Sequence, residues 1–207
     1  MAQVRRKREG ESLRKVPLAE RPALRRARLI SAAVAVYGEA GFRSATVRAI
    51  CRRARLTERY FYESFGSSED LLIEAAHTLA FDTLAWMKQR RDAVDGDRDL
   101  KTAHMLRGYF RQQSDQRSQA RLFTLEFRGI SPAADAEFDR ILDAFADLIV
   151  ETRDPALRGP AAHDRLLRRG IVAGVLQVTV AWIEGGYRES LAGVVAAALR
   201  ICCAADD

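Results

Sequence analysis

Apolar side chains recur at helical spacing along most of this 207-residue chain. From Ala23 onward, Ile30, Ala33, Val34 and Tyr37 fall at i, i+3, i+4 and i+7, and Gly41 follows at a stop position. Thr46 precedes Val47, Ile50, Cys51 and Ala54, which predicts a short helix with one apolar face and a hydroxyl at its N-cap. The chain restarts at Leu56-Thr57, and Phe61 and Phe65 recur one turn apart on the next helix. Three short helices within about 45 residues, the last two joined by a tight turn, suit a helix-turn-helix.

Gly66-Ser67 breaks the third helix, and Ser67 with Asp70 approximates a capping box. Leu72, Ala76, Leu79, Thr83 and Trp86 then carry a long helix to about Arg91. The run Asp92–Asp99 reads as a polar loop. Helical spacing resumes with Met105, Leu106, Tyr109 and Phe110, and again around Leu122–Phe127. Pro132 opens a helix whose inward positions are Phe138, Ile141, Leu142, Phe145, Leu148 and Ile149. Pro155, Gly159 and Pro160 punctuate, and two last helices are predicted at about His163–Glu184 and Glu189–Ala204, joined at Gly185-Gly186. No segment sustains strand alternation, so the predicted fold is all-α with about nine helices.

Composition changes this picture in two places. Residues 1–22 hold Arg5-Arg6-Lys7-Arg8 and Arg14-Lys15 with few large apolar side chains, the make-up of a disordered basic arm. Charge is also uneven. Residues 1–65 carry 16 Lys and Arg against 6 Asp and Glu, whereas the remainder is net acidic within a total of +6. A basic first third on an acidic remainder points to a polyanion-binding module joined to something else. No uninterrupted apolar run reaches the ~18 residues of a membrane span, and no apolar segment follows the N-terminal charges as in a secretory signal. A cytoplasmic protein without a membrane role is therefore the expectation.

Candidate catalytic chemistry is thin. Cys51, Cys202 and Cys203 form neither a disulfide framework nor a metal pair, and His77, His104 and His163 lack neighbours at ligand spacing. There is no nucleophile elbow or phosphate-cradling glycine loop, so no metal, cofactor or enzymatic activity is expected.

The string from Thr46 to Leu72, TVRAICRRARLTERYFYESFGSSEDLL, resembles the helix-turn-helix of TetR-family transcriptional regulators, and Ala33, Tyr37, Gly41 and Phe42 match that family's first helix. The resemblance implies a DNA-binding domain at 23–68 and a helical ligand-binding and dimerisation domain at 69–207. The residues fit such a module physically. Thr46 can cap the second helix and meet a phosphate; Ile50, Ala54, Leu56, Phe61 and Phe65 can fix the interhelical angle. Thr57 is expected to cap the third helix, leaving Glu58, Arg59 and Tyr60 on its first turn, where base edges are read. Tyr62 turns outward, whereas Tyr60 suits either DNA contact or packing on the first helix.

Three positions depart from the family. Arg55 stands where the family usually has Gly, and a positive φ there costs about 1 kcal/mol. Ser64 and Ser68 stand where a His and a Lys tend to hold phosphates. Arg48, Arg52, Arg53 and Arg55 are the available cations, and spacing leaves open which of them face DNA.

The resemblance implies a homodimer on a double-stranded, palindromic operator, released by a small hydrophobic effector. Pairing is expected through the last two helices, on faces carrying Val172, Val175, Leu176, Thr179 and Ile183, and Leu191, Val194, Val195, Ala198 and Leu199. The alternative is that these faces are buried within one subunit. An aromatic excess marks the candidate effector site: Tyr109, Phe110, Phe123, Phe127, Phe138, Phe145 and Trp182, with His104, Gln113, Gln177 and Thr179 as polar anchors. A filled core would show the same aromatics, and an effector-independent dimeric DNA-binding protein is the competing function.

Overall fold

The computed structural model describes residues 17–153 and 162–203. The basic stretch 1–16, the Pro155–Pro160 punctuation and the side chain of His163 lie outside the described residues. Within them the architecture is all-α, with no strand.

Helix α1 spans Arg21–Ala40 and follows a 3-10 turn at Leu18–Glu20. It therefore starts two residues before the expected position, with Pro22 in its first turn, where a missing N–H costs no intrahelical bond. Gly41 ends it at φ 76°, its N–H returning to the Tyr37 carbonyl at 2.8 Å. Helix α2 spans Val47–Ala54 and α3 spans Glu58–Ser64. Phe65 is the C-cap of α3, in extended backbone, so the third helix ends one residue before the last apolar position assigned to it.

Helix α4 spans Ser68–Asp92, and the Ser67 hydroxyl accepts from the Asp70 N–H at 3.0 Å. Helix α5 spans Arg98–Asp115, capped by Asp97, and α6 spans Arg117–Arg121. Leu122–Glu126 continues α6 as a π-helical segment, a local widening that periodicity does not forecast. Helix α7 spans Pro132–Arg153, α8 spans Ala162–Glu184 and α9 spans Leu191–Cys203.

Two apolar cores form. The first joins α1, α2 and α3 to Leu71, Leu72, Ala75 and Ala76 of α4 and reaches Leu122, Phe127 and Phe138. The second packs α5 against α7, α8 and α9 around Met105, Leu106, Phe110, Ile149 and Trp182. The division expected at residue 68 therefore crosses a shared core, because the first half of α4 supplies the floor of the helix-turn-helix. The Tyr37 hydroxyl reinforces that floor by donating to the Ser68 carbonyl at 3.1 Å, and burial pushes this phenol above its ordinary range.

Helix α8 is unusual in composition. Its window Arg165–Glu184 has a mean hydropathy of 1.4, apolar enough by length and composition to cross a membrane, yet only 33% of it is buried. The faces expected to pair between subunits point inward instead. Val172, Val175, Thr179 and Ile183 are buried, as are Val194, Val195 and Ala198. Gly174 sits where a Cβ would come within 2.9 Å of Ile201 Cγ2, so its small size brings α8 and α9 together inside one chain.

Candidate functional site

The first candidate surface is built by α2 and α3. Thr46 Oγ1 accepts from the Ala49 N–H at 3.1 Å, the expected N-cap. Arg55 follows α2 in left-handed backbone (φ 57°, ψ 42°), and the Leu56 N–H returns to the Cys51 carbonyl at 2.9 Å. The reversal points α3 across α2 over the buried side chains of Ile50, Cys51, Ala54 and Phe61. Thr57 occupies the N-cap position of α3, but its side chain makes no capping hydrogen bond. That expectation fails because cap position and cap bond are separate conditions: the backbone has the right extended geometry, while the hydroxyl does not reach the first-turn amides.

Glu58, Arg59 and Tyr62 are exposed on α3, and Arg48 and Arg52 are exposed on α2. Arg59 is 84% exposed and pairs with Glu63 one turn on, at 2.9 Å. Tyr62 is 62% exposed and touches Phe61 only through its ring edge, at 5.1 Å between centroids. Tyr60 packs toward α1, with the Arg25 guanidinium 4.4 Å over its ring. Ser64 is half-buried. Its hydroxyl donates to the Tyr60 carbonyl at 2.9 Å, and its own carbonyl accepts from Arg26 at 2.7 Å. Ser68 is half-buried at the first position of α4. Arg53 pairs with Glu39 at 2.8 Å. Among the described residues, Arg48 and Arg52 have no acidic partner.

The second candidate is a narrow cavity of about 50 Å³ between α4, α5, α6, α7 and α8. Of the anticipated ligand residues, Tyr109, Gln113, Phe123 and Phe145 line it. The others do not. His104 is held at the far end of α4, its Nδ1 2.8 Å from the Arg90 carbonyl. Phe110 and Trp182 pack edge to face at 5.8 Å, and Trp182 Nε1 donates to the Glu189 carbonyl at 2.9 Å. Phe127 and Phe138 belong to the first core, Gln177 is exposed, and Thr179 lies behind Tyr109 as its hydrogen-bond partner at 3.3 Å. Sequence reasoning missed Thr83, Gln112, Gln116 and Gln119, which also line the cavity. For the glutamines the sequence signal was their clustering from the end of α5 into α6, and spacing does not say which of them faces inward. Burial pushes the Tyr109 phenol up to about 12, so it stays neutral.

The two candidates are joined physically. A Cβ on Gly38 of α1 would come within 2.6 Å of the Ser118 carbonyl oxygen, so α1 and α6 meet backbone to backbone. Phe123 lines the cavity and stacks on Phe138 at 5.5 Å and Phe127 at 6.2 Å, both members of the helix-turn-helix core. No group of three or more His, Cys, Asp or Glu suited to a metal ion occurs among the described residues.

Comparison with known proteins bears on both parts. Residues 29–75 match the family model "Bacterial regulatory proteins, tetR family". No curated protein gave a significant match. Among solved structures, the transcriptional regulator FadR from Bacillus subtilis, in complex with stearoyl-CoA, superposes with a TM-score of 0.72 at 18% identity, covering 85% of this chain and 96% of that one. The fatty acid degradation regulator FadR from Bacillus halodurans gives 0.70 at 20% identity, with coverage of 85% and 96%. A tetR-family regulator from Streptomyces coelicolor gives 0.74 at 16% identity, covering 92% and 82%. The family match spans most of α1, all of α2 and α3 and the first turns of α4, and the described chain as a whole takes the fold of these regulators.

Proposed function

We propose that the chain is a repressor that binds a palindromic DNA operator as a homodimer and is released by a small, mostly apolar ligand held in the α4–α8 cavity. The observation that carries this reading is the α3 surface. Arg59 and Tyr62 project from a helix whose opposite side is locked into the core through Phe61, within the segment that matches the family model. An arginine on the first turn of such a helix can bond guanine O6 and N7 together. Thr46, Thr57 and Ser68 at helix starts, with Arg48 and Arg55, supply phosphate contacts, and Glu58 lies beside the base-reading turn. Tyr60 and Ser64 hold α3 against α1 and serve the interface by positioning it.

One helix-turn-helix reads too few base pairs for selectivity, so a pair of modules about one helical turn apart is required. The exposed side of α8 supports pairing, because Leu166, Gly170, Ala173, Gln177 and Ala181 form a stripe at helical spacing with almost no charge. Exposed Ala192, Gly193, Ala196 and Ala197 continue it on α9. Gln177 thus belongs to this stripe, outside the cavity. The bound stearoyl-CoA in the Bacillus subtilis regulator supports a ligand-responsive reading of the fold. Release requires a ligand that favours a dimer shape with misplaced recognition helices; equal affinity for both shapes changes nothing.

Selection of bound sequences from a random duplex library tests the reading. The expected product is a palindrome with half-sites about one helical turn apart, ~34–36 Å. Recovery of sequences without two-fold symmetry would overturn the dimeric operator.

A further inference from the structure

The turn between α8 and α9 holds a strained side chain that reaches toward the helix-turn-helix. The Gly186 N–H returns to the Ile183 carbonyl at 3.0 Å and the Tyr187 N–H to the Trp182 carbonyl at 2.8 Å, the paired bonds that end a helix at a left-handed glycine. Gly186 supplies that conformation at φ 73°. Tyr187 repeats it at φ 60°, where a bulky residue is strained. Its edge-on contact with the Trp182 ring, at 4.9 Å between centroids, belongs to the ordinary closure of a helix. The other contacts of the side chain lie beyond α8 and are not needed to end it.

The ring lies under the Arg117 guanidinium of α6 at 4.4 Å, and the hydroxyl donates to the Gln113 carbonyl of α5 at 3.3 Å. Burial raises this phenol above its ordinary value, so it keeps the proton it donates. Arg117 Nε in turn donates to the Ser114 carbonyl at 3.3 Å, which ties the end of α5 to the start of α6. The next residue, Ser118, presents the carbonyl that meets Gly38 of α1. Gln116 and Gln119, on either side, line the cavity. One turn of chain, 116–119, thus touches α1, the cavity and the α8–α9 turn.

We infer that Tyr187 is a positioning residue for operator binding: it clamps Arg117, fixes the first turn of α6 against α1, and so sets where α1 carries α3. The last link is direct, since α1 holds α3 through Arg25 over the Tyr60 ring and Arg26 on the Ser64 carbonyl. Without the clamp, α1 samples more placements than the operator accepts, and affinity falls with the fraction that remains competent. The inference rests on the proposed operator-binding role of α3 and assigns a residue on the α8–α9 turn to it.

Fluorescence anisotropy with a labelled duplex from the selected library tests this in the full-length protein, below every variant's melting transition. Tyr187→Leu and Arg117→Leu should each weaken operator binding about three- to tenfold, since each removes the ring–cation clamp from both subunits. The double variant should lose about as much as Tyr187→Leu alone, because both changes break one contact. Tyr187→Phe keeps the ring under Arg117 and should stay within about twofold of wild type. The slope of affinity against salt should be unchanged in Arg117→Leu, whose guanidinium is spent on Tyr187 and touches no phosphate. Arg117→Leu alters an exposed side chain and carries the test should Tyr187→Leu fold poorly. Wild-type affinity in the leucine variants, even with a lowered melting temperature, overturns the inference, as do additive losses or a flattened salt slope. Failure of the wild-type protein to bind any duplex overturns the operator reading and this inference with it.

Discussion

Arg59 is held by a single exposed partner, Glu63, at i+4. Such pairs contribute only about 0.3–0.5 kcal/mol, so the side chain is available to DNA and nearly irrelevant to folding. Arg59→Ala should leave the circular dichroism spectrum and melting temperature unchanged. It should weaken operator binding by about 1–3 kcal/mol and relax the preference at one base pair per half-site, read by competition with single-substituted duplexes. Arg55 is the converse case, a residue whose backbone matters more than its side chain. Its φ of 57° is the conformation anticipated from the absent glycine. Arg55→Gly removes a Cβ clash of about 1–2 kcal/mol at the cost of about 0.5–1 kcal/mol of extra chain entropy lost on folding. The balance favours the variant by up to about 1 kcal/mol, a rise of about 2–4 °C in melting temperature for a chain of this size. Operator affinity should fall slightly if the Arg55 side chain touches phosphate, and its slope against salt should flatten by ~0.9 per contact.

Helices meet where side chains are small, and α1 meets α6 backbone to backbone at Gly38, a contact that links the two candidate sites. Gly→Ala inside a helix ordinarily stabilises by about 1 kcal/mol. At Gly38 the sign reverses, because the new Cβ would stand 2.6 Å from the Ser118 carbonyl oxygen and 2.7 Å from its Cβ. Backbone must move apart, which costs roughly 1–3 kcal/mol in a packed contact. Gly38→Ala should therefore lower the melting temperature. It should also weaken operator binding, since α3 is held against α1 through Arg25 and Arg26; an unchanged operator affinity would show that α6 does not position the helix-turn-helix. Sequence alone marked α1, α2 and α4 well, because their caps at Gly41, Thr46 and Ser67 and their apolar spacing are local properties. It did not mark the π-helical turn at Leu122–Glu126, the inward turn of Gln112, or the withdrawal of His104 to the Arg90 carbonyl. Each of these depends on which neighbouring helix arrives, and composition at one position carries no record of that. The aromatic excess was real but divided between two cores, so only Tyr109, Phe123 and Phe145 among those rings reached the cavity.

At the scale of the whole molecule, the tension lies in α8, apolar enough to span a membrane yet with only 33% of that window buried in a single chain. Its buried side is already committed to α7 and α9, which leaves the other side for the proposed pairing. That surface is made of small residues on both α8 and α9, which lets two helix pairs approach closely as a four-helix interface. A charge placed there is harmless in a monomer, where the position is exposed, and strongly unfavourable in a dimer, where it is buried without a partner. Ala173→Asp and Ala197→Asp should therefore sediment as monomers, with helical content unchanged. Their operator binding should fall far below that of the unmodified protein, because two half-sites are then read independently. Leu176→Asp discriminates the alternatives, since Leu176 faces the cavity in this fold. It should damage stability and ligand binding while any chain that still folds remains dimeric. The opposite pattern, dimers of Ala173→Asp and folded monomers of Leu176→Asp, would place the interface on the face first expected from the apolar spacing and would overturn the packing of α8 described above.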